Sequence, residues 1–489
     1  MKRILYVGGK IKNIPLLANT HYQVDYVQNG LIAINAVQTQ DYTAVILEDQ
    51  LPLMSVSHLT GELLSMDKSI PVISFIRSEE RREQFLDDFG HGLFGWCEPE
   101  KCSGEELVTL LDEAQRFHDF FKELTNRDKK DFNAIGYGEI VGVSAVMIDL
   151  YQLLNQIKNK DVTVMLNGES GTGKNVIADV LYSKGIRRDK PSVSVNCPAI
   201  PSELLESELF GHEKGAFTGA IERTDGKFLT ANGGTIILDE IGDMSASLQA
   251  KILRVLENGE LERVGSAETM KVDIRIISAT NQNLEEKIKK GEFRNDLYHR
   301  INVFPISVPT LRERKDDIPI TAMFILKKLV KKHKTKSRFI STAGIRALKA
   351  YNWPGNVREL ENVIERIVLL NDVSVLGDNE IAPLLNENKS NQISTIDTVQ
   401  TNESTPKVET DKIKDPISIQ QPEPGTAVIN SFILKNDGNL KTLKQLEYEA
   451  ITAGLEITNW NMTHTAKQLG ISRMTLYRKI DQHGLKKNG

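Results

Sequence analysis

The chain has 489 residues, 40% of them hydrophobic and 26% charged, the make-up of a soluble globular protein with room for about three domains. Its 61 basic and 66 acidic side chains leave a net charge of −5, so the whole chain does not read as a nucleic-acid binder and charge has to be followed region by region. Three cysteines, Cys97, Cys102 and Cys197, lack metal-finger spacing, which excludes a disulfide framework and fits a reducing cytosol. The apolar stretch after Met1-Lys2-Arg3 is too short for a secretory signal and no run is long enough to span a bilayer, so a cytoplasmic protein with no membrane partner is expected.

In chain order, residues 1–125 carry five short apolar stretches, at 3–7, 23–27, 44–47, 71–75 and 92–96. Helix-length segments separate them, the pattern of a doubly wound α/β sheet. Residues 126–138 read as a connector. Residues 139–385 form a second, larger α/β block with strands at 162–166, 235–238 and 274–278, and helical periodicity replaces the strand signal from about residue 310. Residues 386–430 are rich in Asn, Ser, Thr, Gln, Lys and Pro, with no aromatic residue between Trp353 and Phe432. Such a segment buries too little apolar surface to offset its ordering entropy and is expected to be a flexible linker. Residues 431–489 read as a small all-α domain, and from Asn461 to Gly489 six Lys and Arg face one Asp. The basic charge missing from the whole is concentrated here.

After the strand at 162–166 comes Gly168-Glu169-Ser170-Gly171-Thr172-Gly173-Lys174, then a helix from about Asn175. Glycines at such a bend let successive backbone N–H groups point at phosphate oxygens, and the following helix N-terminus favours negative charge. Lys174 is placed to reach the β- and γ-phosphates of a nucleotide. Asn175 stands where a Ser or Thr hydroxyl usually serves Mg2+, leaving Thr172 or water to do more of that work. The matching half is Thr235-Ile236-Ile237-Leu238-Asp239-Glu240, an apolar strand ending in two carboxylates. Asp239 is placed to hold Mg2+ through water and Glu240 to orient and deprotonate an attacking water. ATP and Mg2+ are therefore the expected cofactors.

Between the two halves lies Gly215-Ala216-Phe217-Thr218-Gly219-Ala220. It resembles the surface loop by which NtrC-type sigma-54-dependent enhancer-binding proteins of the AAA+ class contact sigma-54. The resemblance implies an AAA+ α/β ATPase with a helical lid, and it assigns further roles by position. Asn196 matches the switch asparagine that pairs with the catalytic glutamate, here Glu240. Asn281 matches the first sensor at the γ-phosphate, and Arg358, in Trp353-Pro354-Gly355-Asn356-Val357-Arg358, the second sensor. Arg294 and Arg300 match the arginine fingers that a neighbouring subunit inserts, which implies assembly into a hexamer-type ring.

The C-terminal segment resembles a Fis-type helix-turn-helix, with a first helix over 463–469, a break at Gly470, a cap at Ser472 and a recognition helix over 473–480. Arg473, Thr475, Tyr477 and Arg478 then face double-stranded DNA, while Leu443, Leu446, Ala450 and Ile451 make a stripe suited to dimer packing. The implied partners are upstream promoter DNA, the sigma-54 RNA polymerase and further copies of the chain.

Residues 1–125 resemble a response-regulator receiver whose chemistry has been replaced. Gly8 and Gly9 stand where acidic residues hold Mg2+, Glu48 (four residues before Pro52) where the phosphoacceptor Asp belongs, Ile76 at the switch position, and Glu98 at the lysine before Pro99. Asp49 is the nearest fallback acceptor. An atypical receiver on this ATPase resembles the FleQ/FlrA flagellar regulators, which implies control of flagellar genes. It also implies cyclic di-GMP binding, with Arg187 and Arg188 as the contacts. The segment Gly138-Glu139-Ile140-Val141-Gly142 lacks the arginine that would complete such a site, so weak or absent binding is expected. The competing readings are a phosphorylation-controlled NtrC-type regulator, against which Glu48 argues, and a DNA-binding repressor with a vestigial nucleotide site, against which Lys174, Glu240 and Thr218 argue.

Overall fold

The computed structural model describes residues 2–8, 21–217, 219–386, 443–458 and 461–468, with Leu476, Lys479 and Ile480. It divides into two compact units, residues 1–401 and 402–489. The expected linker lies outside the described residues from residue 387 on.

The first unit opens with β1 (Arg3–Val7), β2 (Gln23–Val27), β3 (Ala44–Leu47), β4 (Val72–Phe75) and β5 (Gly95–Cys97), all parallel in the order β2-β1-β3-β4-β5. The strands β1, β3 and β4 are apolar and buried nearly throughout because helices cover both faces. Those helices are α1 (Gly30–Thr39), α2 (Val56–Met66), α3 (Glu79–Gly90) and α4 (Gly104–Glu123), each started by an Asn or Ser cap, with a full capping box between Ser103 and Glu106. The fifth strand begins three residues later than expected, because Gly92 turns the chain at φ +103°.

The expected connector folds. Residues 132–141 form the meander β6 (Phe132–Asn133), β7 (Gly136–Tyr137) and β8 (Ile140–Val141). Phe132 packs against Phe120, Phe121, Tyr137 and Tyr151, and Lys158 Nζ donates to Asp128 Oδ1 at 2.8 Å and Asp131 Oδ2 at 2.6 Å. Two aromatic side chains thus carry the core of the N-terminal sheet into α5 (Ala145–Ile157).

The central sheet follows: β9 (Val164–Asn167), α6 (Lys174–Ser183), β10 (Ser192–Asn196), β11 (Gly211–His212), β12 (Thr224–Asp225), β13 (Thr235–Asp239), α7 (Ala246–Asn258), β14 (Glu260–Glu262), β15 (Thr269–Lys271), β16 (Arg275–Thr280), α8 (Asn295–Ile301) and β17 (Phe304–Ser307). The main strands are parallel in the order β10-β13-β16-β9-β17, so the turn after β9 and the ends of β13 and β16 meet at the carboxyl end of the sheet, where open α/β folds bind ligands. The lid is α9 (Ile318–His333), β18 (Phe339–Ile340), α10 (Thr342–Ala350), α11 (Asn356–Leu370) and β19 (Val375–Leu376). Trp353 is fully buried between its helices, with Nε1 donating to Leu348 O at 2.8 Å.

The N-terminal sheet is docked on the lid. Phe85 and Trp96 pack against Phe339, and Glu98, only 2% exposed, accepts from Thr342 N and Oγ1 (both 2.8 Å) while pairing with Arg82 (2.8 Å) and Lys101 (3.0 Å). Arg346 forks onto Glu106 (2.8 and 2.7 Å).

The second unit contains α12 (Leu443–Ile457) and α13 (Met462–Gln468). Ile451, Leu455, Ala466 and Leu476 form its core. This corrects the reading of Ile451 as part of a dimer stripe, because a unit this small needs the residue for its own interior; Ala450 is half-buried. The side chains of Leu443 and Leu446 lie outside the described residues, as do Ser472, Arg473, Thr475, Tyr477 and Arg478.

Candidate functional site

The nucleotide loop leaves β9 and turns into α6 through Gly171 (φ +77°) and Gly173 (φ +99°), backbone conformations that favour glycine. At Gly171 space also forbids a side chain, since a Cβ would lie 2.3 Å from Gly355 O of the lid. Lys174, the first residue of α6, curls back so that Nζ donates to Gly168 O (2.8 Å) and Glu169 O (3.3 Å) and lies 3.6 Å from Glu240 Oε1. The two halves of the expected site are therefore adjacent.

Glu240 stands at φ +55° just past β13, a left-handed conformation costing a non-glycine residue on the order of 1–3 kcal/mol. It aims the carboxylate at the loop, where Oε2 accepts from Asn281 N at 2.8 Å. Asn281 thus contributes through its backbone. Asn175 Nδ2 donates to Asp239 Oδ2 at 3.0 Å, and Ser170 Oγ accepts from Arg358 Nη1 at 3.2 Å. Two expectations change. Asn196 does not pair with Glu240: it is exposed, its register partner is Asp239, and Lys174 and Asn281 N take the glutamate. The Thr172 hydroxyl donates to Glu169 O at 2.9 Å, so it is committed to the loop and Asn175 reaches Asp239 instead.

A Mg2+ ion fits the oxygen-rich end of β13, where Asp239 and Glu240 adjoin the loop. Such an ion takes one or two carboxylates, leaving its other positions to phosphates and water.

Asn356 is a site residue that the sequence reading did not single out. Fully buried at φ +53°, it accepts from Leu311 N (2.9 Å) through Oδ1 and donates through Nδ2 to Glu169 Oε2 (3.1 Å) and Ser170 O (3.0 Å). Val357 N also reaches Gly171 O at 3.0 Å. The usable signal was Gly355-Asn356 before a helix, since Asn tolerates the left-handed region. Arg312 Nη1 donates to Glu169 Oε2 at 2.8 Å. That bond first, and Asn356 second, hold the Glu169 carboxyl at about 2. Lid and loop are thus mechanically joined.

Arg294 and Arg300 bond to none of these groups. Both are exposed, Arg294 bonded to Asp296 (3.0 and 2.6 Å) and Arg300 3.3 Å from Glu257. The hexapeptide is an exposed loop closed by Gly215 N to Ala220 O (2.9 Å) and Ala220 N to Phe217 O (3.0 Å), with left-handed Gly215 and Gly219. Ala216 packs beside Gly265, and Phe217 is 38% exposed against His212. Thr218 lies outside the described residues.

Three family models match the chain: the sigma-54 interaction domain over residues 140–307, the AAA+ ATPase lid domain over 312–397, and the Fis family of bacterial regulatory proteins over 442–483. The transcriptional regulatory protein ZraR of Klebsiella oxytoca is 33% identical over 467 residues, 96% of this chain and 95% of that protein. The chain belongs to the NtrC-type, sigma-54-dependent family of transcriptional regulators. The Nif-specific regulatory protein of Enterobacter agglomerans is 51% identical over 259 residues, 53% of this chain, and the match spans about half (49%) of that relative's length. Among solved structures, NtrX from Brucella abortus in complex with ADP aligns over 99% of this chain and 100% of that chain, with 26% identity and a TM-score of 0.48.

The N-terminal carboxylates singled out from the sequence are each engaged. Glu48 bonds the Tyr6 hydroxyl and takes Arg77 through Nε (3.3 Å) and Nη2 (3.2 Å). Burial raises its pKa, but those two partners outweigh burial and hold it below the ordinary value. The fallback Asp49 is 7% exposed and accepts from Ser78 N at 2.7 Å. Ile76 is buried. Gly8 has no room for a carboxylate, since a Cβ there would lie 2.7 Å from Glu48 Cγ; Gly9 lies outside the described residues.

The cyclic di-GMP assignment of Arg187 is corrected. Its guanidinium is buried and donates to Gly234 O, Asp273 O, Asp161 Oδ2 and Asp273 Oδ1 at 2.6–3.1 Å, leaving only the exposed Arg188, 3.5 Å from Asp189. Among the described residues no helix is long and apolar enough to cross a membrane.

Proposed function

We propose that the chain is an ATP-hydrolysing activator that binds DNA upstream of its promoters and remodels the closed complex of sigma-54 RNA polymerase. The observation that carries this is the convergence on Glu240 of Lys174 and Asn281 N, beside a loop held by the lid. Gly168, Glu169, Ser170, Gly171, Thr172 and Gly173 would wrap the phosphates, with Lys174 reaching the β- and γ-phosphates. Asp239 would hold Mg2+ through water, an ion that supplies charge neutralisation on the transferring phosphoryl group. Glu240 would take the proton of the attacking water, released from Lys174 as that cation moves to phosphate. Arg358 reads the bound nucleotide from the lid, and Asn281, whose N–H reaches Glu240, couples it to the central sheet.

Arg294 and Arg300 act on a neighbouring subunit's nucleotide, which requires a ring; their exposure supports this. The hexapeptide, which includes Thr218, contacts sigma-54. Arg473, Thr475, Tyr477 and Arg478, after the Ser472 cap, contact DNA as part of a dimer, in the cytoplasm. The altered N-terminal pocket supports flagellar genes as targets, testable by mapping genomic binding sites, and supports control without phosphoryl transfer. Cyclic di-GMP binding at Arg187 and Arg188 is proposed to be weak or absent.

Glu240→Gln tests the hydrolytic assignment. It should retain ATP binding while losing turnover and open-complex formation; a variant that still hydrolyses ATP at the parent rate would remove Glu240 from the chemistry.

A further inference from the structure

A cavity of about 590 Å3 lies between the N-terminal domain and the lid, a size typical of small-molecule pockets. Its apolar walls are Trp96 and Leu110 on one side and Pro319, Ile320 and Ile345 on the other, with Cys97 and Cys102 at one end. Two cations line it, and both are already paired: Arg346 with Glu106, and Lys349 with Asp316 at 2.8 Å. One polar atom is not satisfied. Glu113, 3% exposed, lines the cavity from α4, and its Oε1 has no hydrogen-bond partner among the described residues.

We propose that this cavity binds a small organic amine, with its apolar body against Trp96, Leu110, Ile320 and Ile345 and its ammonium group on Glu113. An anion would find no unpaired cation to receive it, and the carboxylates of Glu105, Glu106 and Asp316 outnumber the two cations of the lining. An uncharged apolar molecule would leave Glu113 Oε1 unanswered, and buried polar groups are as a rule hydrogen-bonded. An ammonium group supplies the missing donor, and the surrounding carboxylates favour its charge.

The charged groups around Glu113 fix the pH dependence. Burial first, then Asp316 and Asp317 from the turn before α9, raise its pKa to about 9 against the opposing Lys349 of α10 and Arg116 of α4. Glu113 therefore holds its proton at neutral pH and must release it, to bulk water, when it pairs with an ammonium ion. One proton leaves per amine bound, so affinity should climb by up to about tenfold per pH unit from about pH 7 toward about pH 9. The amine site shares no residue with the nucleotide loop, so binding is measured without reference to ATP turnover.

Calorimetric titration of the full chain with tryptamine and phenethylamine, against uncharged tryptophol and anionic indole-3-acetate, tests it. At least one amine should bind, each bound amine at one per chain and tighter at higher pH, with tryptophol and indole-3-acetate at least about tenfold weaker. Glu113→Gln should cost about tenfold and flatten the pH dependence, and Ile345→Trp, which fills the cavity from the lid side, should abolish binding. Failure of both amines to bind, equal binding of all four probes, or amine binding unchanged in Glu113→Gln would overturn the proposal.

Discussion

At Glu48 one methylene group and two neighbours decide what the N-terminal site can do. The longer carboxylate reaches the Tyr6 hydroxyl and Arg77, and it occupies the space that a side chain at position 8 would need. Incubation with acetyl phosphate or beryllofluoride should therefore leave the mass of residues 1–125 and the ATP turnover rate unchanged; a stable phosphoryl adduct seen by mass spectrometry would contradict this. Glu48→Asp alone should not restore phosphorylation, because Gly8 and Gly9 supply no carboxylate for Mg2+. At the same scale, Asn356→Ala removes a buried side chain that answers Leu311 N and Ser170 O. It should lower stability by about 1–3 kcal/mol, read as a fall in the thermal midpoint, and should weaken ATP binding by loosening the loop from the lid.

Among the elements, the docking of the N-terminal sheet on the lid is the feature most dependent on a few residues. Glu98 caps the start of α10 through Thr342 while holding Arg82 and Lys101. Glu98→Lys would set three cations together beside an uncapped Thr342 N–H. It should cost on the order of 3 kcal/mol and free the N-terminal domain, seen as faster proteolysis near residues 124–131 than in the parent chain; unchanged proteolysis would show that the contact is dispensable. The same interface has a pH signature. The Arg346 guanidinium holds Glu106 at about 2 against its ordinary 4.5, a folded value below the unfolded one. Its contribution is present above about pH 4.5 and is lost as pH falls toward 2, and with both side chains more than a third exposed it amounts to less than about 1 kcal/mol.

What could be read from the sequence followed from how local each feature is. The five strands of the N-terminal sheet, three of the five in the central sheet (β9, β13 and β16), the loop at Gly168 to Lys174 and the acidic end of β13 are written in runs of a few residues and stand within a few positions of their expected places, whereas β10 and β17 were not anticipated. The Glu98–Thr342 contact spans 244 residues and Asn356–Ser170 spans 186, and no local pattern specifies either. The connector was misread because its burial depends on Phe132 and Tyr137 meeting aromatic residues of α4 and α5. Arg187 looked like a free cation because Asp161 and Asp273, its partners, are brought to it only by the fold.

Across the whole molecule, the proposed action of Arg294 and Arg300 on a neighbour's nucleotide would make catalysis depend on assembly. Turnover per chain should rise with protein concentration until rings form, and Arg294→Ala should reduce turnover while preserving ATP binding; a specific rate independent of concentration would count against fingers acting between subunits. Removing residues 430–489 should abolish sequence-specific DNA binding and leave hydrolysis in place, since every group at the nucleotide site lies in the first unit. Arg473→Ala in the full chain should weaken specific binding by about 1–3 kcal/mol if it makes a bidentate base contact; an unchanged footprint would discard that assignment. The central claim is that ATP hydrolysis is spent on sigma-54 polymerase through the exposed hexapeptide. The most direct measurement is open-complex formation at a sigma-54 promoter alongside ATP turnover for Thr218→Ala. The account predicts turnover near the parent rate with open complexes lost; full open-complex formation by this variant, or loss of both activities together, would contradict it.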